Sequence, residues 1–440
     1  MDTKDISTNR IIGKLLYLHL IVVFAQFGIR WYADLTIVRD FFIFIILWVA
    51  ISSSVGYKKN RLTKTVLLFL VYGFLMLLVH SISSSGFITA LTEFRNYFFP
   101  FVLVFPLSVY FLKSGNRLKL VNFLYVLLII LIVDVYIEGA MEMLGITRSI
   151  LPWYQFQYLH SERFVTSTNP IERAIYPEDS PVLGLLGWPN ATACTLTALY
   201  AFISPFLFTG GIRDASKLGK KSSAFKTFLV VCVVGALAIL QIKTPMFAFL
   251  MVTIVLLFKS NRKAALSLII AIVVVSTVAF ATRSLWMDAF SFLMEESTGD
   301  EGAISYVFSL VTLRAVLSSF MGSSILTILF GGDFSGIGYY ENIEIRLLTF
   351  TMQLGLIWLI FFLGICYRLL NTTWKLNKSR IVSIEDKRIN MGVLLMMVVY
   401  LIDMLHYSYL MYLFNINIFA VMIALAVGLN YTYKHYGKVS

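Results

Sequence analysis

Long apolar runs recur along the whole chain, each closed by a short polar or basic segment. Crossing about 30 Å of hydrocarbon takes roughly 20 apolar residues in a helix rising 1.5 Å per residue. Read on that scale, the runs predict membrane-spanning helices at 11–29, 33–55, 65–82, 97–112, 119–140, 184–208, 227–242, 245–258, 264–282, 346–370, 391–409 and 412–433. Most connections are short; those at 141–183 and 283–345 are long. The expectation is an all-α, polytopic membrane protein, one integral membrane domain over 1–440 with about 12 transmembrane helices. A composition of 59% hydrophobic and 14% charged residues belongs with that class.

Charge gives the orientation. Basic clusters lie at 58–64, 113–119, 213–226, 259–263 and 368–388, and at both ends of the chain. On a strictly alternating twelve-helix path all of them fall on one side, which the positive-inside rule makes cytoplasmic, together with both termini. The formal net charge of +12 then divides into about +21 inside and −9 outside, so topology accounts for it and a nucleic-acid partner is not implied. Ten bases stay outside: Arg30, Arg39, Arg95, Arg148, Arg163, Arg173, Lys243, Arg283, Arg314 and Arg346. Lysine outnumbers arginine inside, whereas nine of these ten are arginine. The guanidinium fork grips phosphate or carboxylate through two parallel hydrogen bonds, which lysine cannot do. As a set they favour a phosphate-bearing substrate; singly, each could pair with a nearby acid or a lipid headgroup.

Both long loops are external. The first, 141–183, interleaves Trp153, Tyr154, Phe156 and Tyr158 with Arg163, Arg173 and Glu172. Aromatic rings stack on the apolar faces of sugars while charged groups bond hydroxyls; an interfacial aromatic belt is the alternative. The second, 283–345, contains an acidic stretch (Glu295, Glu296, Asp300, Glu301) and a helix-like segment at about 303–320 carrying Arg314, expected to lie flat at the membrane interface. A glycine-rich turn at 331–338 follows, then Glu341, Glu344 and Arg346. A shorter external piece, 83–96, holds Glu93 and Arg95. Near outer helix ends, Asp134 and Glu138 share a helix face, as do Asp403 and His406. Ionisable residues at membrane depth are either functional or satisfied by neighbouring helices.

Other chemistries find no motif. Cys194, Cys232 and Cys366 fall in predicted spans and form neither a disulfide framework nor a metal motif. The five histidines are scattered, without paired-ligand spacing. The turn at 331–338 lacks the Lys-Ser/Thr of a phosphate-binding loop, so ATP is not an expected substrate. Basic residues precede the first span without a small-residue cleavage site, which reads as an uncleaved first helix.

Two stretches carry a resemblance. Gly184-Leu-Leu-Gly187-Trp188-Pro189-Asn190-Ala191-Thr192-Ala193 resembles the G-x-x-x-N-P-N-x-x-A pattern of the bacterial O-antigen ligase/polymerase superfamily, with Trp188 where that family often has Asn. Those enzymes carry a large external loop ending in a polar motif, followed by L-x-x-L-x-x-x-G-x-x-G. Glu344-Ile-Arg346-Leu347-Leu348 followed by Gly355-Leu-Ile-Trp358 fits that spacing approximately. Lys243-Thr244 sits where relatives often show Ser-Arg, and Arg314 resembles an arginine that recurs in the loop helix. Ligase-like members have His-Asn at the polar motif. Here Glu344 or Glu341 falls at the His position, which points to a polymerase.

The resemblance implies a C-type glycosyltransferase fold in the bacterial inner (cytoplasmic) membrane, acting on its outer face. It implies polymerisation of undecaprenyl-diphosphate-linked oligosaccharide units into O-antigen or a related surface polysaccharide, as in lipopolysaccharide biosynthesis. An acceptor hydroxyl would attack the anomeric carbon while undecaprenyl diphosphate leaves. Such a step needs a general base, for which Glu344 and then Glu341 are the candidates. It also needs cations aimed at the diphosphate, for which Arg314, Lys243, Arg346 and Arg173 are the candidates. Arg163, Trp153 and Tyr154 are candidate sugar contacts. No cofactor or metal is expected; membrane lipids, a chain-length regulator and a flippase are the expected partners. The alternatives are a ligase that transfers polymer to lipid A-core and, in another class, a lipid-linked oligosaccharide flippase.

Overall fold

In the computed structural model, residues 3–29, 36–53, 60–82, 86–143, 185–186, 189–208, 223–240, 242–260, 318, 320–332, 346–406, 410 and 413–435 are described. Among them every regular element is helical, and there is no strand. The helices are α1 (Thr3–Ile29), α2 (Thr36–Ser52), α3 (Arg61–Ile82), α4 (Gly86–Tyr97), a 3₁₀ turn (Phe99–Leu103), α5 (Val104–Tyr110) and α6 (Ser114–Met143). They continue with α7 (Pro189–Phe208), α8 (Ser223–Leu240), α9 (Lys243–Ser260), α10 (Ile325–Phe330), α11 (Arg346–Leu354), α12 (Leu356–Lys378), α13 (Ile384–His406) and α14 (Leu413–His435). Seven of them, α1, α3, α6, α7, α12, α13 and α14, are long and apolar enough to cross a membrane. The architecture is that of an α-helical membrane protein.

Burial sorts the helices into centre and rim. The apolar stretches of α7 and α14 are 94% and 89% buried, against 44% for α3, so the first two form the middle of the bundle. On α3 the exposed residues Leu67, Leu68, Val71, Phe74, Leu75 and Leu78 recur every three to four positions. Val66, Phe69, Tyr72 and Met76 on the other face are buried. An exposed stripe this apolar suits lipid rather than water. Small residues let the central helices approach: a Cβ on Gly392 of α13 would lie 2.2 Å from the Phe202 carbonyl oxygen of α7.

Contacts fix relative directions. Arg368 of α12 donates to the Arg61 carbonyl at one end of α3 (2.7 Å), while Tyr72, further along α3, bonds Leu354 just before α12, so α3 and α12 are antiparallel. Tyr136 and Gly139 of α6 meet Cys232 and Ile239 of α8 in the same order, making that pair parallel. Thr197 and Tyr200 of α7 meet Pro245 and Thr253 of α9, again in parallel. Strict alternation of the expected spans requires these same relations.

Two expected spans are broken. The stretch 97–112 is not one helix: α4 ends at Tyr97, and the 3₁₀ turn and α5 follow. Pro100 and Pro106 lack the N–H that a continuous helix needs, and each sits in the first turn of its own short element. The stretch 346–370 is also split. α11 stops at Leu354, Gly355 adopts φ +88°, and α12 runs on to Lys378, eight residues beyond the expected end. The expected span at 264–282 lies outside the described residues.

Opposite ends of the bundle hold different polar groups. At the Arg61 end, Arg117 donates through Nε and Nη2 to the two oxygens of Asp386 (both 2.8 Å) and through Nη1 to the carbonyls of Phe111 and Leu112. Tyr433 donates to the same carboxylate at 2.5 Å. Every guanidinium nitrogen of this buried arginine is used, and the pair ties α6 to α13 and α14.

Candidate functional site

At the far end of α3, the segment 320–332 packs onto the bundle. Ser324 caps α10, its hydroxyl accepting from the Thr327 amide at 3.2 Å, and the helix stops at Gly331. Phe330 stacks on Tyr72 (centroids 5.9 Å apart, planes 15°), whose hydroxyl also bonds the Leu354 carbonyl. The Gly332 amide donates to the Met352 carbonyl at 3.2 Å. The segment 320–332 is thereby stapled to the α11–α12 break.

A polar triad lies beside this staple. Glu93 of α4 accepts from Gln353 of α11 at 2.7 Å through one oxygen and faces His80 Nδ1 at 3.2 Å through the other. His80 Nε2 lies 3.0 Å from the Phe330 carbonyl. Both ring nitrogens therefore face acceptors, and only the doubly protonated ring satisfies both at once.

The third group is an arginine pair at the start of α2 and the end of α4. Arg39 donates to Asp40 Oδ1 through Nε at 2.8 Å, with Nη2 in ion-pair contact with the same oxygen at 2.8 Å. Arg95 donates to Asp40 Oδ2 at 2.6 Å. One carboxylate thus serves two guanidiniums and leaves a surplus positive charge. The Arg39 side chain is 0% exposed, against 29% for Arg95. Arg39 Nη2 also approaches Asn96 Oδ1 at 3.5 Å, while Nη1 has no hydrogen-bond acceptor among the described residues. A buried guanidinium N–H without a partner is costly, and an anion is the partner its geometry suits.

Within the stretch 184–193, Leu185 is held by Asp134, whose Oδ2 accepts from the Leu185 amide at 2.5 Å. Pro189 then opens α7, where the first turn needs no N–H from it. Asn190 Oδ1 is buried with no partner among the described residues. Glu138, expected to share a face with Asp134, is buried and interacts with it electrostatically. Asp403 is buried and interacts electrostatically with Cys194, and the side chain of His406 lies outside the described residues.

Glu344, Glu341, Arg314, Arg173, Arg163, Trp153 and Tyr154 all lie outside the described residues. Lys243 and Arg346 are the first residues of α9 and α11, and their side chains lie outside too. Of the two long loops only 141–143, 318 and 320–332 are described, so most of the expected interfacial helix is not. The expected outer arginines that are described, Arg39 and Arg95, come together. Glu93, expected beside Arg95 in the external piece 83–96, instead faces His80 and Gln353; Asp40, His80 and Gln353 carry no signal in the sequence that marks them as its or the arginines' partners. No group of three His, Cys, Asp or Glu side chains among the described residues could hold a metal ion.

No family model, curated protein or solved structure matches this chain.

Proposed function

We propose that this chain is a membrane glycosyltransferase that polymerises undecaprenyl-diphosphate-linked oligosaccharides into a bacterial surface polysaccharide. The proposal includes twelve spans in a C-type glycosyltransferase fold, cytoplasmic termini, and a reaction on the outer face of the inner membrane. The observation that carries it is Arg39: a fully buried guanidinium with an N–H that has no partner among the described residues, next to a second arginine on the same carboxylate. Its end of the bundle is the one that the basic clusters assign to the outside. A diphosphate gains charge as it leaves, so cations fixed before the reaction favour its departure.

In the proposed step, the acceptor hydroxyl oxygen bonds to the anomeric carbon of the donor as the bond from that carbon to the diphosphate oxygen breaks. The hydroxyl proton passes to a carboxylate, Glu344 or Glu341, and the diphosphate departs with the bonding electrons. Arg39 and Arg95 join Arg314, Lys243, Arg346 and Arg173 as candidates to hold it. Single displacement inverts the anomeric centre.

The test is a gel of surface glycans from a host lacking this gene, complemented by wild type, Glu344→Gln or Glu341→Gln. Polymerase activity gives single repeat units on the core and no ladder in the deletion, with the ladder restored by wild type. Bare core with polymer still built on the lipid carrier identifies a ligase, and unpolymerised units trapped inside identify a flippase. Full ladders from both glutamine variants overturn the assignment of the base.

A further inference from the structure

The Arg61 end of the bundle, far from the arginine pair, contains a basic pocket. It lies between the start of α3, the C-terminal half of α12 and the end of α14, with a volume of about 660 Å³. Arg61, Lys64, Arg368, Lys375 and Lys434 line it, and no aspartate or glutamate does. Among the described residues none of these five forms an ion pair; Arg368 instead spends a guanidinium N–H on the Arg61 carbonyl at 2.7 Å, which draws two of the cations together. Five uncompensated charges brought into one concavity by three helices repel one another unless an anion sits among them. The first turn of α3 adds a positive helix end, with Asn60 capping it through Thr63 (2.8 Å).

The level of the pocket in the membrane follows from its neighbours. Trp374 is 54% exposed on the same stretch of α12, with Lys378 Nζ 4.8 Å above its ring. An exposed tryptophan beside lysine marks the boundary between hydrocarbon and headgroups. The hydrophobic stripe of α3 begins at Leu67, one turn beyond Lys64. The mouth of the pocket therefore opens at headgroup depth, where the phosphates of a bilayer lie.

We infer that this pocket binds a phosphate group, and that its occupant is the headgroup of an anionic phospholipid in the leaflet that the basic clusters mark as cytoplasmic. The cavity is large enough for a phosphodiester with its glycerol, and basic pockets between spanning helices suit such headgroups. A soluble phosphate compound shares this chemistry. The site lies at the opposite end from the arginine pair and stands independently of the reaction proposed above.

Native mass spectrometry of the full-length protein in detergent tests it, with phosphatidylglycerol, phosphatidylcholine or inorganic phosphate added in turn. Wild type should retain phosphatidylglycerol at least tenfold more strongly than phosphatidylcholine. Each lysine removed should weaken that retention about fivefold, so Lys375→Gln/Lys434→Gln loses most of the preference. Lys375→Arg/Lys434→Arg keeps the charges and should keep the preference, which controls for folding. Binding of inorganic phosphate that weakens in the glutamine variant, without a lipid preference, supports the phosphate site and assigns it to a soluble ligand. Equal retention of the two lipids with no phosphate binding, or a preference unchanged by the glutamine substitutions, overturns the inference.

Discussion

Gly331 and Gly355 interlock: each lies where the backbone beside the other leaves no room for a side chain. A Cβ on Gly331 would sit 2.1 Å from the Gln353 carbonyl oxygen, and one on Gly355 would sit 2.2 Å from the Leu329 carbonyl oxygen. Both residues have positive φ, +82° and +88°, with extended ψ of 178° and 161°. That region is essentially closed to residues with a side chain and costs about 1–3 kcal/mol even without a clash. The crossing fixes Phe330 and Gln353, and through them His80 and Glu93.

Gly331→Ala and Gly355→Ala are each expected to destabilise the protein by more than that backbone cost. Because both act on one crossing, the double variant should lose less than the sum of the two. Thermal melting of the purified protein in detergent measures all three. An unchanged melting temperature in either single variant would show that the crossing is not required.

The sequence reached the long helices and missed this crossing for a definite reason. Apolar runs such as 65–82 and 391–409 are governed by length and composition, and α3 and α13 follow them. Leu354-Gly355-Leu356 sits inside an equally apolar run, and nothing local distinguishes a glycine that turns the chain from one that packs in a helix. Pro100 and Pro106 were better signals of a break, since a missing N–H acts wherever the residue lies. The site shows the same divide. Arg39 and Asp40 are adjacent in the chain, but Arg95 reaches Asp40 from 55 residues away and Gln353 reaches Glu93 from 260. His80 reads as one scattered histidine until α4 brings Glu93 to it.

The bond between Arg117 and Asp386 leads to an asymmetric prediction. Their side chains are only 3% and 5% exposed. Asp386→Asn would leave a buried guanidinium without its counter-charge, a loss of about 3–5 kcal/mol. Arg117→Met/Asp386→Leu removes both charges together, and should destabilise less than Asp386→Asn alone. Tyr433→Phe deletes one hydrogen bond to the carboxylate and should cost about 1.5–3 kcal/mol. Stability measured for the three variants checks the order; a double variant less stable than Asp386→Asn would contradict it.

His80, Glu93 and Gln353 should act as a support for the segment 320–332. Glu93→Gln keeps the shape but removes the negative charge facing His80, so the ring loses its ionic partner at 3.2 Å. Gln353→Ala leaves Glu93 Oε1 without its donor. Both variants should open the segment at 320–332 to amide hydrogen exchange sooner than wild type, with exchange at the Arg117 end unchanged. Equal acceleration at both ends would mean general destabilisation, not loss of a local support.

Arg39 separates a structural role from an anion-binding one. If the arginine only neutralises Asp40, Arg39→Lys keeps the charge, and Arg95 still bonds the other carboxylate oxygen. The glycan ladder should then survive. If Arg39 Nη1 meets the diphosphate, lysine supplies a point charge without the fork. The variant should then accumulate in the membrane at wild-type levels while polymer falls by about 10-fold or more, as for loss of a charged hydrogen bond of about 1.5–3 kcal/mol. Arg95→Lys, at a partly exposed position, should reduce polymer less than Arg39→Lys. Asp40→Asn removes the carboxylate the two arginines share, so it should lower the amount of folded protein before it changes chain length. A normal ladder from Arg39→Lys at normal protein levels would leave Arg39 a structural ion-pair partner and take away the observation on which the proposed diphosphate contact rests.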